Sequence, residues 1–432
     1  MKLKTLSTAI ILATVPMSGT FAAALDRSGQ SIAAFLQPNN YFEVGFSALD
    51  PNVSGKVKNG YTPSAALPPA AAGLQNTNLS DMAGDYYFPS AALKLQLTDH
   101  FSFGVIYDQP FGADAGYSVA DQGSAALGGA GLFHNGSEAT EVEVDTQNIS
   151  MIFGFQPTEN WNMYAGPVYQ TVKGNEQLRG YAYSGPTAFG AYNANIGEDS
   201  AVGWLAGLAY QIPEIALKAS LTYRSEIEHE VNIQESSSGI GPITAIINNP
   251  AVSGSTDITT PQSVNLDLQS GIMADTVAFA NVRWVNWKDF SIRPYKFGLA
   301  SNAASASATL GAYTQGFNLV DYSDDQISTT VGVGRKFNDK WAGNVSVGWD
   351  SGAGNPVSTL GPTEGYWNVG LGAQFSPAPN YFIAAGVKYF MLGDATAHTG
   401  AYSIPGNAQN AQVAEFEDND AWAYGLKMGY RF

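Results

Sequence analysis

The sequence predicts an all-β fold, a transmembrane antiparallel β-barrel of about 14 strands. Three observations carry that prediction. The last twelve residues alternate Trp422, Tyr424, Leu426, Met428, Tyr430 and Phe432 with Ala421, Ala423, Gly425, Lys427, Gly429 and Arg431. Period two sends the two sets to opposite faces of a strand. A large apolar face opposite a small, cationic one is the pattern of a barrel strand in lipid, apolar outside and polar inside. Charged residues make up only 13% of the chain and aromatics 12%, yet no apolar run after the N-terminus reaches the ~18 residues of a membrane helix. Finally, connections of roughly two to five residues alternate with loops of about ten to thirty-six, as in barrels with short periplasmic turns and long outer loops.

The elements follow in order. Met1-Lys2-Leu3-Lys4 is basic, an apolar stretch runs from Leu6 to Val15, and small residues occupy Gly19 to Ala24 apart from Thr20 and Phe21. This is a secretory signal, residues 1–22, with cleavage expected after Ala22 and with Ala23 or Ala24 as alternatives. Alternating strands are expected at Tyr41–Val57, Tyr86–Leu97, Phe101–Gln109, Glu141–Phe155, Trp161–Lys173, Ala201–Gln211 and Ala216–Val231. The second half gives Ser263–Met273, Thr276–Phe290, Ile327–Phe337, Trp341–Asp350, Tyr366–Phe375, Tyr381–Leu392 and Ala421–Phe432. An even count puts both termini on the periplasmic side. Phe101, Trp161, Trp341, Phe375, Tyr381 and Phe432 stand beside the short turns as an aromatic girdle. The outer loops carry Tyr181, Tyr183, Phe189, Tyr192, Ile240, Ile243, Ile246 and Ile247, either as a greasy landing surface or as a self-packed cap.

Composition narrows the function. The formal charge of −17 becomes −19 once Lys2 and Lys4 leave with the signal, which excludes nucleic acid as an attractive partner. There is no Cys, so the exported chain needs no oxidative folding. No catalytic constellation emerges. His229 lies near Ser225 among Glu226, Glu228 and Glu230, but neighbours on one strand alternate faces and do not converge as a triad. The acidic clusters lack the ligand spacing of a metal site, and nothing calls for a cofactor.

The inward faces are more informative. Alternation turns Leu205, Phe279, Trp287 and Phe390 inward with Val168, Val277 and Val285. Apolar groups there fit a substrate pocket or packing against an interior segment. Lys173, Arg283 and Arg293 are candidate cations for a substrate carboxylate, and Arg224 and Glu226 share a face at pairing distance. Strand three stops at Asp108-Gln109-Pro110-Phe111-Gly112. Pro110 lacks a ladder donor and Gly112 a side chain, so pairing fails there; the segment is either a gate in the wall or a strand end above the membrane.

Several segments resemble the FadL/TodX family of outer-membrane transporters of long-chain fatty acids and hydrophobic compounds. They are Leu25–Gln30, Asp50–Gly55, Pro110–Gly112, Leu221–Glu226 and Trp284–Phe290. The resemblance implies a barrel plugged by its N-terminal segment, passive uptake of apolar molecules, and sideways exit through a kinked third strand. The plug is expected at residues 23–40, shorter than in many members, with 41–432 forming the barrel. Its Ser28, Gly29, Gln30 and Ser31 suit a polar interior, and Ile32, Phe35 and Leu36 an apolar patch. The expectation is a monomeric, multi-pass channel of the Gram-negative outer membrane, meeting hydrophobic small molecules and outer-membrane lipid. The alternative is a general porin or structural outer-membrane protein.

Overall fold

The computed structural model describes residues 25–61 and 73–432. The expected signal, and Ala23 and Ala24 of the expected plug, lie outside the described residues. Fourteen strands form the wall: β1 (Tyr41–Asn52), β2 (Tyr86–Gln96), β3 (Phe101–Asp108), β4 (Glu141–Phe155), β5 (Trp161–Arg179), β6 (Ala191–Ile212) and β7 (Leu217–Arg224). They continue as β8 (Ser263–Met273), β9 (Thr276–Val285), β10 (Gln326–Lys336), β11 (Trp341–Asp350), β12 (Tyr366–Ala378), β13 (Tyr381–Leu392) and β14 (Asp420–Arg431). Each pairs antiparallel with its neighbours, and β1 pairs with β14 from Tyr41↔Arg431 to Asn52↔Asp420, which closes the barrel.

The register agrees with the alternation. Along β14, Trp422, Tyr424, Leu426, Met428 and Tyr430 are exposed, whereas Lys427 is buried and reaches Glu43 of β1 at 3.2 Å. Closure through β1 and β14 leaves no free sheet edge, so backbone groups facing lipid are paired along the ladders except at local breaks. Girdle rings pack in pairs beside the short turns: Phe101 with Phe155 at 5.3 Å, Trp161 with Tyr210 at 4.7 Å, Trp341 with Phe375 at 4.8 Å. On β4 the outward face runs Phe155, Phe153, Met151, Ile149 and then Gln147, Asp145, Glu143, Glu141. The apolar band therefore ends between Ile149 and Gln147.

Several strand ends differ from expectation. β5 and β6 extend to Arg179 and back from Ala191, because above the band their outward positions are polar (Lys173, Asn175, Gln177) and show no apolar alternation. β1 stops at Asn52, and Gly55–Val57 joins a small sheet with Asn78–Leu79 and Gln412–Phe416 over the barrel. β7 ends at Arg224; Ile227–Val231 turns away and pairs with Thr256–Thr260. β9 ends at Val285, and Trp287–Asp289 is a 3₁₀ turn.

The outer loops pack mainly on themselves. Tyr183, Phe189, Tyr192, Ile243 and Ile247 are buried. Phe189 lies 4.7 Å from Phe297 of the helix Tyr295–Ala308 and 5.6 Å from Phe317. Ile240 and Leu310 remain exposed at 65% and 97%.

Residues 25–40 touch inward-facing side chains around the wall. Asp26 accepts from Arg283 Nε at 2.7 Å. Ser28 Oγ donates to Asp108 at 2.7 Å, Arg224 donates to the Gln30 carbonyl at 3.1 Å, and Lys218 to the Leu36 carbonyl at 2.9 Å. Phe35 is buried edge-on to Tyr164, and a Cβ on Gly104 or Gly154 would meet its ring at 2.5 and 2.8 Å. Those two glycines make room for the ring.

Candidate functional site: an interrupted wall and the chamber behind it

The ladder is broken where strand three was expected to fail. β3 pairs with β2 up to Tyr107↔Ala91 and with β4 up to Asp108↔Asn148. Pairing with β4 resumes at Gly112↔Asp145 and runs to Gly116↔Glu141. Three residues, Gln109, Pro110 and Phe111, thus face two, Thr146 and Gln147. This is a bulge, which bends the strand and re-aims its side chains.

Phe111 turns inward and is buried, its ring 5.5 Å from Trp287. Thr146 holds the bulge: its Oγ1 accepts the Phe111 N–H at 2.9 Å and donates to the Phe111 carbonyl at 2.7 Å. On the opposite edge, the groups that β2 would have paired are taken by the N-terminal segment. Arg27 N–H donates to the Pro110 carbonyl at 2.6 Å, and Gly112 N–H to the Leu25 carbonyl at 2.9 Å. Pro110, with no N–H of its own, leaves no donor unsatisfied at the turn.

Tyr86–Ser90 of β2 therefore have no ladder partner on this side. The gap is bounded below by the pair Ala91↔Tyr107 and above by a bridge between Ala83 and Ala115. It contains a cavity of about 200 Å³ reaching from Tyr87 on the outer face to Phe111 and Arg27 inside. Tyr87 is 59% exposed and stacks on Phe46 at the upper rim of the apolar band, while Asp85, Glu143 and Asp145 line the part of the gap above it.

Behind it lies a mainly apolar chamber of about 70 Å³ whose walls include Val53, Val142, Val144, Ile196 and Leu360. Chamber and gap share Arg27, Tyr86, Gly112, Ala113, Asp114 and Val144. The Arg27 guanidinium sits 3.4 Å above the Tyr86 ring, and its Nε donates to the Gly112 carbonyl at 2.6 Å. Tyr86 OH in turn bridges to the Asp114 carbonyl at 2.6 Å. This stack stands between the two spaces. The chamber holds one further acid, Glu176 of β5, 6% exposed, on the part of the strand above the band. Burial pushes its carboxyl up to about 8.

The sequence-derived residues distribute as follows. Asp108, Gln109, Pro110, Phe111 and Gly112 form the broken stretch itself. Trp287 meets Phe111 and donates its Nε1–H to Gln326 at 2.7 Å. Leu205 and Phe390 are fully buried and Phe390 packs on Tyr366; Phe279 covers Gly332. Leu205, Phe279 and Phe390 lie outside the chamber lining. Lys173 is a correction: it shares parity with Tyr169, faces outward, and pairs with Asp145 at 3.2 Å. Arg293 is committed to the Asn302 side chain at 2.6 Å and the Gln315 carbonyl in the outer loops. Arg224 does not pair with the exposed Glu226; it turns to Gln30 and Ser150. His229 bonds Asp199 through Nδ1 and Gln170 through Nε2, so neither ring nitrogen is directed at a serine. Among the described residues no group of acids and histidines is placed to hold a metal.

Sequence reasoning missed Arg27 and Glu176. Glu176 carried a signal: it shares a face with Val172 and Leu178, an acid on an otherwise apolar row.

Comparison with known proteins agrees with this architecture. The structure is similar to that of a FadL homologue of Pseudomonas aeruginosa, with TM-score 0.63 and 15% identity over 93% of this chain and 92% of that one. It is similar to the Pseudomonas putida toluene transporter TodX, with TM-score 0.58 and 12% identity over 97% of both chains. At such identities the likeness shows the fold. No curated protein matches the chain in sequence. The model of the outer membrane protein transport family (OMPP1/FadL/TodX) matches residues 21–432. The chain therefore belongs to the OMPP1/FadL/TodX family, and is a channel for hydrophobic compounds in the Gram-negative outer membrane, not an enzyme.

Proposed function

We propose that the channel takes up long-chain fatty acids or similarly elongated apolar compounds by passive diffusion and releases them sideways into the bilayer. The observation that carries this reading is the gap between β2 and β3, which shares its lining with an apolar chamber. An apolar molecule gains nothing by entering the periplasm as a monomer, since water is its least favourable surrounding. Exit through the wall avoids that step. Residues 23–40 act as the plug that closes the direct path, and Phe111 and Trp287 hold the bulge in its inward position. Leu205, Phe279 and Phe390 contribute apolar lining around the plug. The general-porin alternative is disfavoured by the buried contacts of residues 25–40 with β3, β7 and β9, which leave little room for water.

The test removes the bulge. Deleting Pro110 leaves two residues facing two and permits a continuous ladder. Uptake of a labelled long-chain fatty acid by cells carrying the chain should then fall at least about tenfold, with heat-modifiable gel migration of the barrel unchanged. Undiminished uptake by an assembled deletion variant would sink lateral release.

A further inference from the structure

We propose that Glu176 is the polar anchor of the chamber, a buried carboxyl group that hydrogen-bonds the uncharged oxygen function of an apolar cargo. The inference rests on the transport reading above and narrows its substrate class. Cargo would be a slender hydrocarbon ending in a hydroxyl, a carbonyl or a protonated acid, in preference to an ionised carboxylate.

Three observations support it. Glu176 lines the apolar chamber while 94% of its surface is buried. Its Oε1 is inaccessible and has no hydrogen-bond partner among the described residues. A buried polar atom left unpaired costs about 1–3 kcal/mol, so an arriving donor or acceptor gains what the free channel lacks. Its inward row carries Val172, Gly174 and Leu178, and Val142, Val144 and Ile196 line the chamber around it. None of these apolar side chains can satisfy it.

Charge excludes the alternative cargo. Tyr183 and Tyr192, near enough to feel the Glu176 charge, are both held neutral by burial. Arg27 and Asp114 line the chamber as well, and the Arg27 charge acts on Asp114. The cation is already engaged: its Nε donates to the Gly112 carbonyl at 2.6 Å and its plane lies 3.4 Å above the Tyr86 ring. An ionised head group would add a second negative charge to a site whose own acid is kept protonated by burial. A neutral oxygen meets no such opposition, and a protonated carboxyl both donates to it and accepts from it.

The experiment uses the full chain in nanodiscs with 1-octanol, octane and octanoate as probes. Infrared difference spectra between wild type and Glu176→Gln isolate the carbonyl band of this one acid. The band should be present at neutral pH and disappear as pH rises through about 8. Octanol should shift it; octane should not. In uptake assays, Glu176→Leu should reduce octanol transport about three- to tenfold relative to octane, and Glu176→Gln, which keeps a donor and an acceptor, should retain most of it. An octanol-insensitive band, or equal losses for octanol and octane, overturns the anchor. Failure of transport reads differently: a wild-type channel that moves none of the probes contradicts the proposed function, while the infrared shift still decides the anchor.

Discussion

Among the described residues the wall has long breaks between β2 and β3 and between β6 and β7, and of these two only the first is open. Between β2 and β3 the ladder stops at Ala91↔Tyr107, and a cavity of about 200 Å³ occupies the gap. Between β6 and β7 it stops at Leu205↔Arg224, where Ser225 N–H still donates to the Trp204 carbonyl at 2.9 Å. Above that point β6 regains a partner only at Ile196↔Ile233. Yet the space there is about 10 Å³. The chain that leaves the wall, Ile227–Val231, fills the hole it made. Ile227 covers Gly203, and His229 is fully buried between Asp199 at 2.9 Å and Gln170 at 3.0 Å. At the first break the replacement partner is Leu25–Arg27. It satisfies the backbone of Pro110 and Gly112 but brings little bulk, and Gly112 and Ala113 add none. A missing ladder therefore does not make an opening; the volume of whatever takes its place does.

The largest effect should come from supplying that bulk. Ala113→Trp, at a position shared by gap and chamber, should lower uptake of an apolar probe at least about tenfold while the barrel assembles normally. Equal uptake would mean that cargo bypasses the gap. An uninterrupted seam provides the contrast for stability. At Leu426 on β14, Leu426→Arg should cost about 2–4 kcal/mol if the residue lies near midplane, measured by reversible unfolding into denaturant. A smaller cost would place it nearer an interface.

At the sealed break, His229→Ala removes both hydrogen bonds and leaves Asp199 and Gln170 short of partners. The expected cost is about 1–3 kcal/mol, with added ion leak in planar bilayers and less than a twofold change in apolar uptake. A large loss of uptake would assign this break a part in the route. The smallest effect is expected at Tyr86→Phe, which deletes the bridge to Asp114 but keeps the ring beneath Arg27. Loosening by one or two hydrogen bonds, each about 0.5–1.5 kcal/mol, should raise uptake about two- to threefold. Lower uptake would show that the stack guides cargo and does not obstruct it.

The contrast also shows what was legible in sequence. Fourteen strands and their facing could be read because lipid demands a period-two apolar row on every strand, as in Trp422 to Tyr430. The broken stretch Asp108–Gly112 was readable because Pro110 and Gly112 act on the backbone directly. The sealed break was not, since Ile227, His229 and Val231 keep alternating after the strand has left the wall. Lys173 was placed inside although its parity with Tyr169 puts it outside. The chamber residues escaped because they come from distant segments, Val53, Val142, Ile196 and Leu360, which only the closed fold brings together. Glu176 was visible only as an acid on an apolar row above the band, where no lipid-facing pattern drew notice.

The hydrogen bonds of residues 25–40 have an electrical consequence. Lys94, Lys218, Arg224 and Arg283, from β2, β7 and β9, all donate to this segment, through Asn39, Leu36, Gln30 and Asp26. Its carbonyls and one carboxylate serve as a solid solvent for four cations that would otherwise face an open bore. Removing the segment should expose that cationic ring and leave a conductive pore that favours chloride over potassium. The sign of the reversal potential in a salt gradient reads this directly, so the element proposed to block passage also sets what an unblocked barrel would conduct.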